Sequence, residues 1–129
     1  MTSDGPYVAV VDDEASVRTA LGRLLRLADY EVTAFASGDA FLASLAARLP
    51  ACAVIDIHMD GLSGFETKAQ LATVDCDVPV VFITASDDAA LDRSVVEAGG
   101  VALLRKPFSS EALVEAVGAA LRHKLPDAS

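Results

Sequence analysis

The sequence predicts an α/β fold in which helices cover both faces of a parallel five-stranded sheet. Short apolar runs alternate with longer segments whose apolar residues recur at helical spacing. The connections are short, and polar residues stand where most of the apolar runs end. Strands that alternate with helices pack as a parallel sheet with right-handed crossovers, so the expected architecture is a three-layer sandwich.

Five apolar runs are typical of buried strands, because each is short and continuous and is bounded by turn-forming or polar residues. They comprise residues 7–11, 32–35, 52–56, 80–84 and 101–104. Pro79 directly precedes the fourth run, and proline is tolerated at the first position of a strand. The third run delivers Asp56 at its carboxyl end, the edge where open α/β sheets bind ligands.

The segments between and after these runs predict five helices. Apolar residues from Val17 to Ala28 mark the first helix. The second begins after Ser37 and ends near Pro50, and the third covers residues 64–74. The fourth follows the capping residues 86–88 and ends at Gly99, and the fifth follows Ser109 and ends at Lys124.

Length and charge limit the possible functions. A chain of 129 residues predicts a single domain over residues 1–129, with a core of about residues 7–124. A hydrophobic content of 53% argues against disorder. The net charge of −9 disfavours direct nucleic-acid binding, because contacts to phosphate backbones need clustered Lys and Arg.

Cysteine spacing and the length of the apolar runs predict where in the cell the protein is located. Cys52 and Cys76 are far apart and form no CxxC motif, so reduced thiols of an intracellular protein are expected. The amino-terminal residues do not resemble a secretion signal, and no apolar run approaches the roughly 20 residues of a membrane span. We expect a cytoplasmic protein without membrane contact.

Polar residues from four strands are expected to meet at one edge of the sheet. Asp12 and Asp13 follow the first strand, Asp56 ends the third, Thr84 ends the fourth and Lys106 follows the fifth. Carboxylates within about 4 to 6 Å raise each other's pKa, so the cluster requires a cation. Hard oxygen ligands suit Mg²⁺, which is therefore the predicted cofactor.

The same residues predict phosphoryl chemistry. Lys106 offers an ammonium and Thr84 a hydroxyl, two donors suited to an anion bound beside the metal. A carboxylate can attack phosphorus and form an acyl phosphate, and Asp56 is the expected nucleophile. In this interpretation Mg²⁺ and Lys106 neutralise the oxygens of the transferred group.

The chain resembles the receiver domains of two-component response regulators. The resemblance extends from Tyr7 to Lys124 and is carried by four motifs in order: Val10-Val11-Asp12-Asp13-Glu14, Val54-Ile55-Asp56-Ile57-His58-Met59 with Gly64 following, Val81-Phe82-Ile83-Thr84-Ala85, and Lys106-Pro107-Phe108. It implies a flavodoxin-like (βα)5 fold with strand order 2-1-3-4-5. It also implies a cis peptide between Lys106 and Pro107.

The resemblance assigns a role to each site residue. Asp56 is the implied phosphoacceptor, with Asp13, Asp56 and the backbone carbonyl of His58 as direct Mg²⁺ ligands. Asp12 assists through water, and Thr84 and Lys106 hold the phosphoryl group. The implied donor is a histidine kinase or phosphotransfer protein. Phosphorylation would then switch an output surface built from the fifth strand and the last two helices, and so control an attached or partner transcriptional regulator. A homodimer through the face of the fourth and fifth helices is also implied.

Three positions depart from the family pattern or tune it. Asp60 stands where the family often has proline, which adds a carboxylate near the site and predicts a looser loop. Leu103 replaces the aromatic residue usual three positions before the lysine, and it has no ring to move inward as Thr84 shifts. His58 and Ser86, two positions beyond Asp56 and Thr84, are expected to tune dephosphorylation.

Other interpretations account for fewer of these residues. Asp12 and Asp13 as simple helix caps leave the coincidence with Asp56 and Lys106 unexplained. An Mg²⁺-dependent phosphatase with an aspartyl nucleophile is the alternative function, but its signature needs a second Asp where His58 stands. A nucleotide-binding protein would need a GxGxxG or P-loop motif. We therefore predict no enzyme beyond self-phosphorylation and self-dephosphorylation; an inert receiver is a further alternative.

Overall fold

Strands and helices alternate throughout the computed structural model, which describes residues 5–74 and 76–124. In chain order the elements are β1 (Tyr7–Val11), α1 (Ala15–Leu27), β2 (Glu31–Phe35), α2 (Gly38–Ser44), β3 (Cys52–Asp56), α3 (Gly64–Thr73), β4 (Val80–Thr84), α4 (Ala90–Glu97), β5 (Ala102–Arg105) and α5 (Ser110–Lys124). The predicted alternation of strands and helices is confirmed.

One parallel sheet contains all five strands, in the order β2-β1-β3-β4-β5. Every residue of β1, β3 and β4 is buried, whereas the edge strands β2 and β5 are mostly half-exposed. This burial explains why the central strands are continuous apolar runs, since helices cover both of their faces. The flavodoxin-like fold and its strand order are confirmed.

Each face of the sheet has its own apolar core. On one face Val10 and Val54 of the sheet pack with Leu25 of α1 and with Leu113 and Val117 of α5. On the other, residues of α2, α3 and α4 pack against the sheet, namely Phe41, Leu71 and Val95 against Val11, Ile55 and Phe82. The alternation of side chains along each strand feeds both cores.

Serine side chains mark three helix starts. Ser37 Oγ accepts a hydrogen bond from the N–H of Ala40, and Ser109 Oγ accepts one from Ala112, both at 3.0 Å. These two caps agree with the sequence prediction. Ser63 and Glu66 form a reciprocal capping box that fixes the start of α3.

The second helix is shorter than predicted. It ends at Ser44, whereas the apolar pattern predicted an end near Pro50. Ser44 Oγ donates to the carbonyl of Phe41 at 2.6 Å, and the N–H of Leu45 bonds only three residues back, to Leu42. Such side-chain bonds compete with the helical ladder, so the chain turns early although the apolar stripe continues.

Within the described residues, no helix combines the length and the apolar character that crossing a membrane requires.

Candidate functional site

The ladder register brings the predicted acidic residues to one rim of the sheet. Val11 pairs with Ile55, so Asp12 and Asp56 follow neighbouring positions of adjacent strands. Asp56 itself pairs with Ile83, the residue before Thr84. Carboxylate oxygens of Asp12, Asp13 and Asp56 all lie within 4.8 Å of one another. Parallel strands in this order therefore bring together carboxylates that are more than 40 residues apart in sequence.

Lys106 reaches this acidic pocket from the end of β5. Its Nζ lies 3.2 Å from Asp12 Oδ2, 3.6 Å from Asp56 Oδ2 and 3.8 Å from Glu14 Oε1. Its backbone N–H donates to the carbonyl of Thr84 at 2.7 Å, which fixes the start of the connection. The predicted cis peptide between Lys106 and Pro107 is present. One ammonium thus faces two buried carboxylates and one exposed carboxylate.

Backbone N–H groups hold one oxygen of each carboxylate in the pocket. The N–H of Glu14 donates to Asp12 Oδ1 at 2.9 Å, that of Asp60 to Asp13 Oδ2 at 3.1 Å, and that of His58 to Asp56 Oδ1 at 3.2 Å. These bonds orient the carboxylates without neutralising them, because an N–H contributes only a partial charge. The pocket therefore retains an excess of negative charge.

Burial shapes the ionisation of the pocket. Asp12 is fully buried and Asp56 is 5% exposed, while Asp13 is exposed at the rim. Burial, followed by the charge of Asp12, raises the pKa of Asp56, and Lys106 and the N–H of His58 only partly oppose this. Burial acts to lower the pKa of Lys106, but Asp56 and Asp12 outweigh it and raise that pKa. An ionised Asp56 therefore costs folding free energy that a bound cation would relieve.

Thr84 lies fully buried at the end of β4, on the same rim. Its Oγ1 accepts a hydrogen bond from the N–H of Ser86 at 3.0 Å. The hydroxyl proton is thus left to donate elsewhere, since the bond to Ser86 uses a lone pair. Thr84 follows the ladder partner of Asp56, as the predicted site requires.

The connection from β3 to α3 passes very close to Asp56. At its end, Gly64, the first residue of α3, has its N–H bonded to the carbonyl of Ile57 at 2.9 Å. A Cβ added at Gly64 would lie 2.5 Å from the carbonyl oxygen of Asp56 and 2.8 Å from Cα of Ile57. Only glycine allows α3 to start against the backbone that carries Asp56.

Sequence reasoning missed some contacts around this pocket. It noted the extra carboxylate of Asp60 and a looser loop, but the structure shows the Asp60 N–H, which a proline would lack, bonded to Asp13. Glu14 lies within reach of Lys106, and Arg18 donates to the carbonyl of Asp12 at 2.7 Å. The position of Glu14 directly after Asp12 and Asp13 was a signal that it lies near the pocket. Nothing in the sequence indicates the Arg18 contact.

Comparisons with known proteins agree with this geometry. The family model described as response regulator receiver domain matches residues 8–118. Nodulation protein W of Bradyrhizobium diazoefficiens is 36% identical over 88% of the chain and 50% of that protein. The transcriptional regulatory protein TdiR of Thauera aromatica is 35% identical over 93% of the chain and 53% of that protein. The chain thus spans about half the length of these curated relatives.

Solved structures show the same likeness. A response regulator receiver protein from Burkholderia phymatum superimposes with a TM-score of 0.82 and 42% identity, covering 91% of this chain and 95% of that one. Such domains accept a phosphoryl group in two-component signalling, and the acidic pocket is consistent with that chemistry. With its fold, its acidic pocket and a family match across most of its length, the chain belongs to the response regulator receiver domain family.

Proposed function

We propose that Asp56 is the phosphoacceptor of this receiver domain. The observation that carries the proposal is the meeting of Asp12, Asp13 and Asp56 within 4.8 Å, with the Lys106 ammonium 3.6 Å from Asp56. A carboxylate oxygen of Asp56 would form a bond to phosphorus as the bond to the donor's leaving group breaks. The product is an acyl phosphate on Asp56.

Mg²⁺ is the proposed cofactor, and the pocket fits it. The donors are hard carboxylate oxygens, each oriented by a backbone N–H, and their charge exceeds that of Lys106. Asp13 and Asp56 would bind the ion directly, together with the carbonyl of His58, and Asp12 through water. The bound ion would neutralise negative charge on the transferring group.

Thr84 and Lys106 are proposed to hold the phosphoryl group. Lys106 lies between Asp12 and Asp56 and would redirect its ammonium to a phosphoryl oxygen as negative charge accumulates there. The Thr84 hydroxyl, whose oxygen accepts from Ser86, would donate its proton to another phosphoryl oxygen. Both groups come from strand ends at the same rim, so the sheet brings them near the phosphoryl group.

The proposed phosphoryl donor is a histidine kinase or phosphotransfer protein. An apolar groove of about 240 Å³ opens beside Lys106 and is lined by Val17, Ala20 and Leu24 of α1 and by Phe108. A donor protein seated there would deliver its phosphoryl group to the adjacent acidic pocket. We further propose that this domain works in the cytoplasm, controls an attached or partner transcriptional regulator, and forms a homodimer through the face of α4 and α5 once phosphorylated.

Incubation with acetyl phosphate and Mg²⁺ tests the proposed function. Intact mass spectrometry is expected to show one phosphoryl adduct on the wild type and none on Asp56→Asn, because the amide is not a nucleophile towards phosphorus. Chelation of the metal should abolish the adduct. Asp39→Asn, which removes an exposed carboxylate from α2, is the matched control and should retain it.

Two outcomes would contradict this proposal. A full adduct on Asp56→Asn would place the acceptor elsewhere. Rapid hydrolysis of many unrelated phosphate esters, at rates typical of a dedicated enzyme, would instead support the aspartyl-nucleophile phosphatase.

The Asp60 N–H is expected to support metal binding by orienting Asp13. Asp60→Pro removes this donor, and the following Gly61, with φ of +77°, is compatible with a turn that accepts proline before it. We expect Asp60→Pro to weaken Mg²⁺ binding by about tenfold in calorimetric titration, the lower range for outer-shell partners of metal ligands. Asp60→Asn keeps the N–H and should stay much closer to wild type. Equal losses in both variants would assign the effect to the carboxylate charge.

A further inference from the structure

Arg105 ends β5 directly before Lys106, but its guanidinium contacts the connection between β4 and α4. Its Nε donates to the carbonyl of Ser86 at 3.2 Å, and Nη2 donates to the carbonyl of Asp88 at 2.8 Å. Nη1 and Nη2 also donate to the two carboxylate oxygens of Asp92, in the first turn of α4, at 3.3 and 3.2 Å. All three guanidinium nitrogens therefore bind one short segment, residues 86–92.

The same segment is joined to the phosphorylation site through Thr84. The N–H of Ser86 donates to Thr84 Oγ1, and the carbonyl of Ser86 accepts from Arg105. Arg105 is also the ladder partner of Thr84, and Lys106 donates to the carbonyl of Thr84. A displacement of the Thr84 side chain towards Asp56 would break its bond to Ser86 and so disturb the segment that Arg105 holds.

Few other contacts hold α4 in place. It has eight residues, of which only Val95 is buried, and its start is capped by the side chain of Asp88, whose Oδ1 accepts from the N–H of Ala90 at 2.9 Å. Elements with so little buried apolar surface are the first to open locally. The ion pair with Asp92 is half-exposed and alone contributes little, but a planar guanidinium bound to two backbone carbonyls as well restricts the geometry.

We propose that Arg105 is a positioning residue that holds the β4–α4 connection in the arrangement seen here and thereby opposes the movement of Thr84 towards a phosphoryl group. This inference rests on the proposed function and specifies its regulation. Phosphorylation of Asp56 would have to release these contacts, so the position of α4 would report the state of Asp56. By linkage, an interaction that favours the unphosphorylated arrangement lowers the tendency to become phosphorylated.

Two measurements on Arg105→Gln test this inference. In hydrogen exchange of the unphosphorylated protein, we expect the amides of residues 86–97 to exchange about fivefold faster than in wild type. With acetyl phosphate and Mg²⁺, we expect the initial phosphorylation rate to rise about fivefold, the lower range of coupling between sites. Asp92→Asn should raise both the exchange rate and the phosphorylation rate by smaller factors, because the bonds from Arg105 to the two carbonyls remain.

Arg93→Gln is the matched control, since it removes one arginine charge from an exposed position on α4 itself. It should behave as wild type in both measurements. Arg105→Lys keeps the charge but not the planar guanidinium, so its exchange and phosphorylation rates should lie between those of wild type and Arg105→Gln. This variant also allows the test if Arg105→Gln does not fold.

An unchanged or slower phosphorylation rate in Arg105→Gln would overturn the inference, because Arg105 would then only stabilise the fold. Unchanged exchange of residues 86–97 would overturn it as well. If wild type itself takes up no phosphate, the proposed function fails, while the exchange comparison still decides whether Arg105 holds α4.

Discussion

Lys106→Met is expected to lower the rate of phosphorylation from acetyl phosphate by about 100-fold or more, the effect that removal of one preorganised charge-stabilising donor has in enzymes. Lys106 is the cation that the structure places 3.6 Å from Asp56 and 3.2 Å from Asp12. Methionine has a similar volume and leaves the developing phosphoryl charge without its ammonium partner. Quantitative mass spectrometry over time, at saturating Mg²⁺, measures the effect.

The same substitution is expected to lower stability in the absence of metal. It leaves the buried carboxylates of Asp12 and Asp56 without their cation, and breaking such a pair is costly. Because the pKa of Lys106 is raised above its ordinary 10.5, its contribution is fully present below that pH and is lost only as pH rises through the raised value. The deficit should therefore persist from mildly acidic to mildly alkaline pH, and Mg²⁺ should partly restore stability.

Lys68→Met is the control for Lys106→Met. Lys68 is a half-exposed lysine of α3, outside the acidic pocket. Its replacement should leave the phosphorylation rate within about twofold of wild type, since surface substitutions away from special features have small effects. A Lys106→Met protein that accepts phosphate at the wild-type rate would remove Lys106 from the proposed chemistry.

Gly64→Ala is expected to destabilise the domain by about 3 kcal/mol, at the upper end of typical overpacking effects. The added methyl group would meet the backbone oxygen of Asp56 at 2.5 Å, and a backbone atom cannot rotate away as a flexible side chain can. The chain must shift at Asp56, the proposed acceptor, so phosphorylation should fall together with stability. Urea unfolding followed by circular dichroism measures the free energy of unfolding.

Gly118→Ala provides the opposite case within the same chain. Gly118 lies inside α5, and an added Cβ would approach only a terminal nitrogen of Arg122, at 3.5 Å. Alanine is the better helix former, so this variant should gain up to about 1 kcal/mol. A Gly64→Ala protein as stable as Gly118→Ala would show that the start of α3 does not require close approach to Asp56.

Local sequence patterns predicted most of the fold, because the bounds of many strands and helices are set by interactions among residues that are close in sequence. The strand β4 was predicted at its observed bounds, since Pro79 and a polar stretch delimit an apolar run. Ser37 and Ser109 marked helix starts because a serine oxygen satisfies an N–H without an intrahelical partner. The predicted end of α2 was wrong, because the apolar stripe continues past Ser44, where the helix ends and the hydroxyl donates to the carbonyl of Phe41.

The sequence by itself determined that acid groups, a hydroxyl and an ammonium end up at strand ends, because a parallel sheet sends all strand ends to one rim. Only the tertiary structure decided which groups touch. Hydrogen bonds from the Asp60 N–H to Asp13 and from Arg105 to Ser86, Asp88 and Asp92 join residues on different elements. Such contacts depend on the register of the strands and on how loops pack, and neither leaves a periodic signal in the chain.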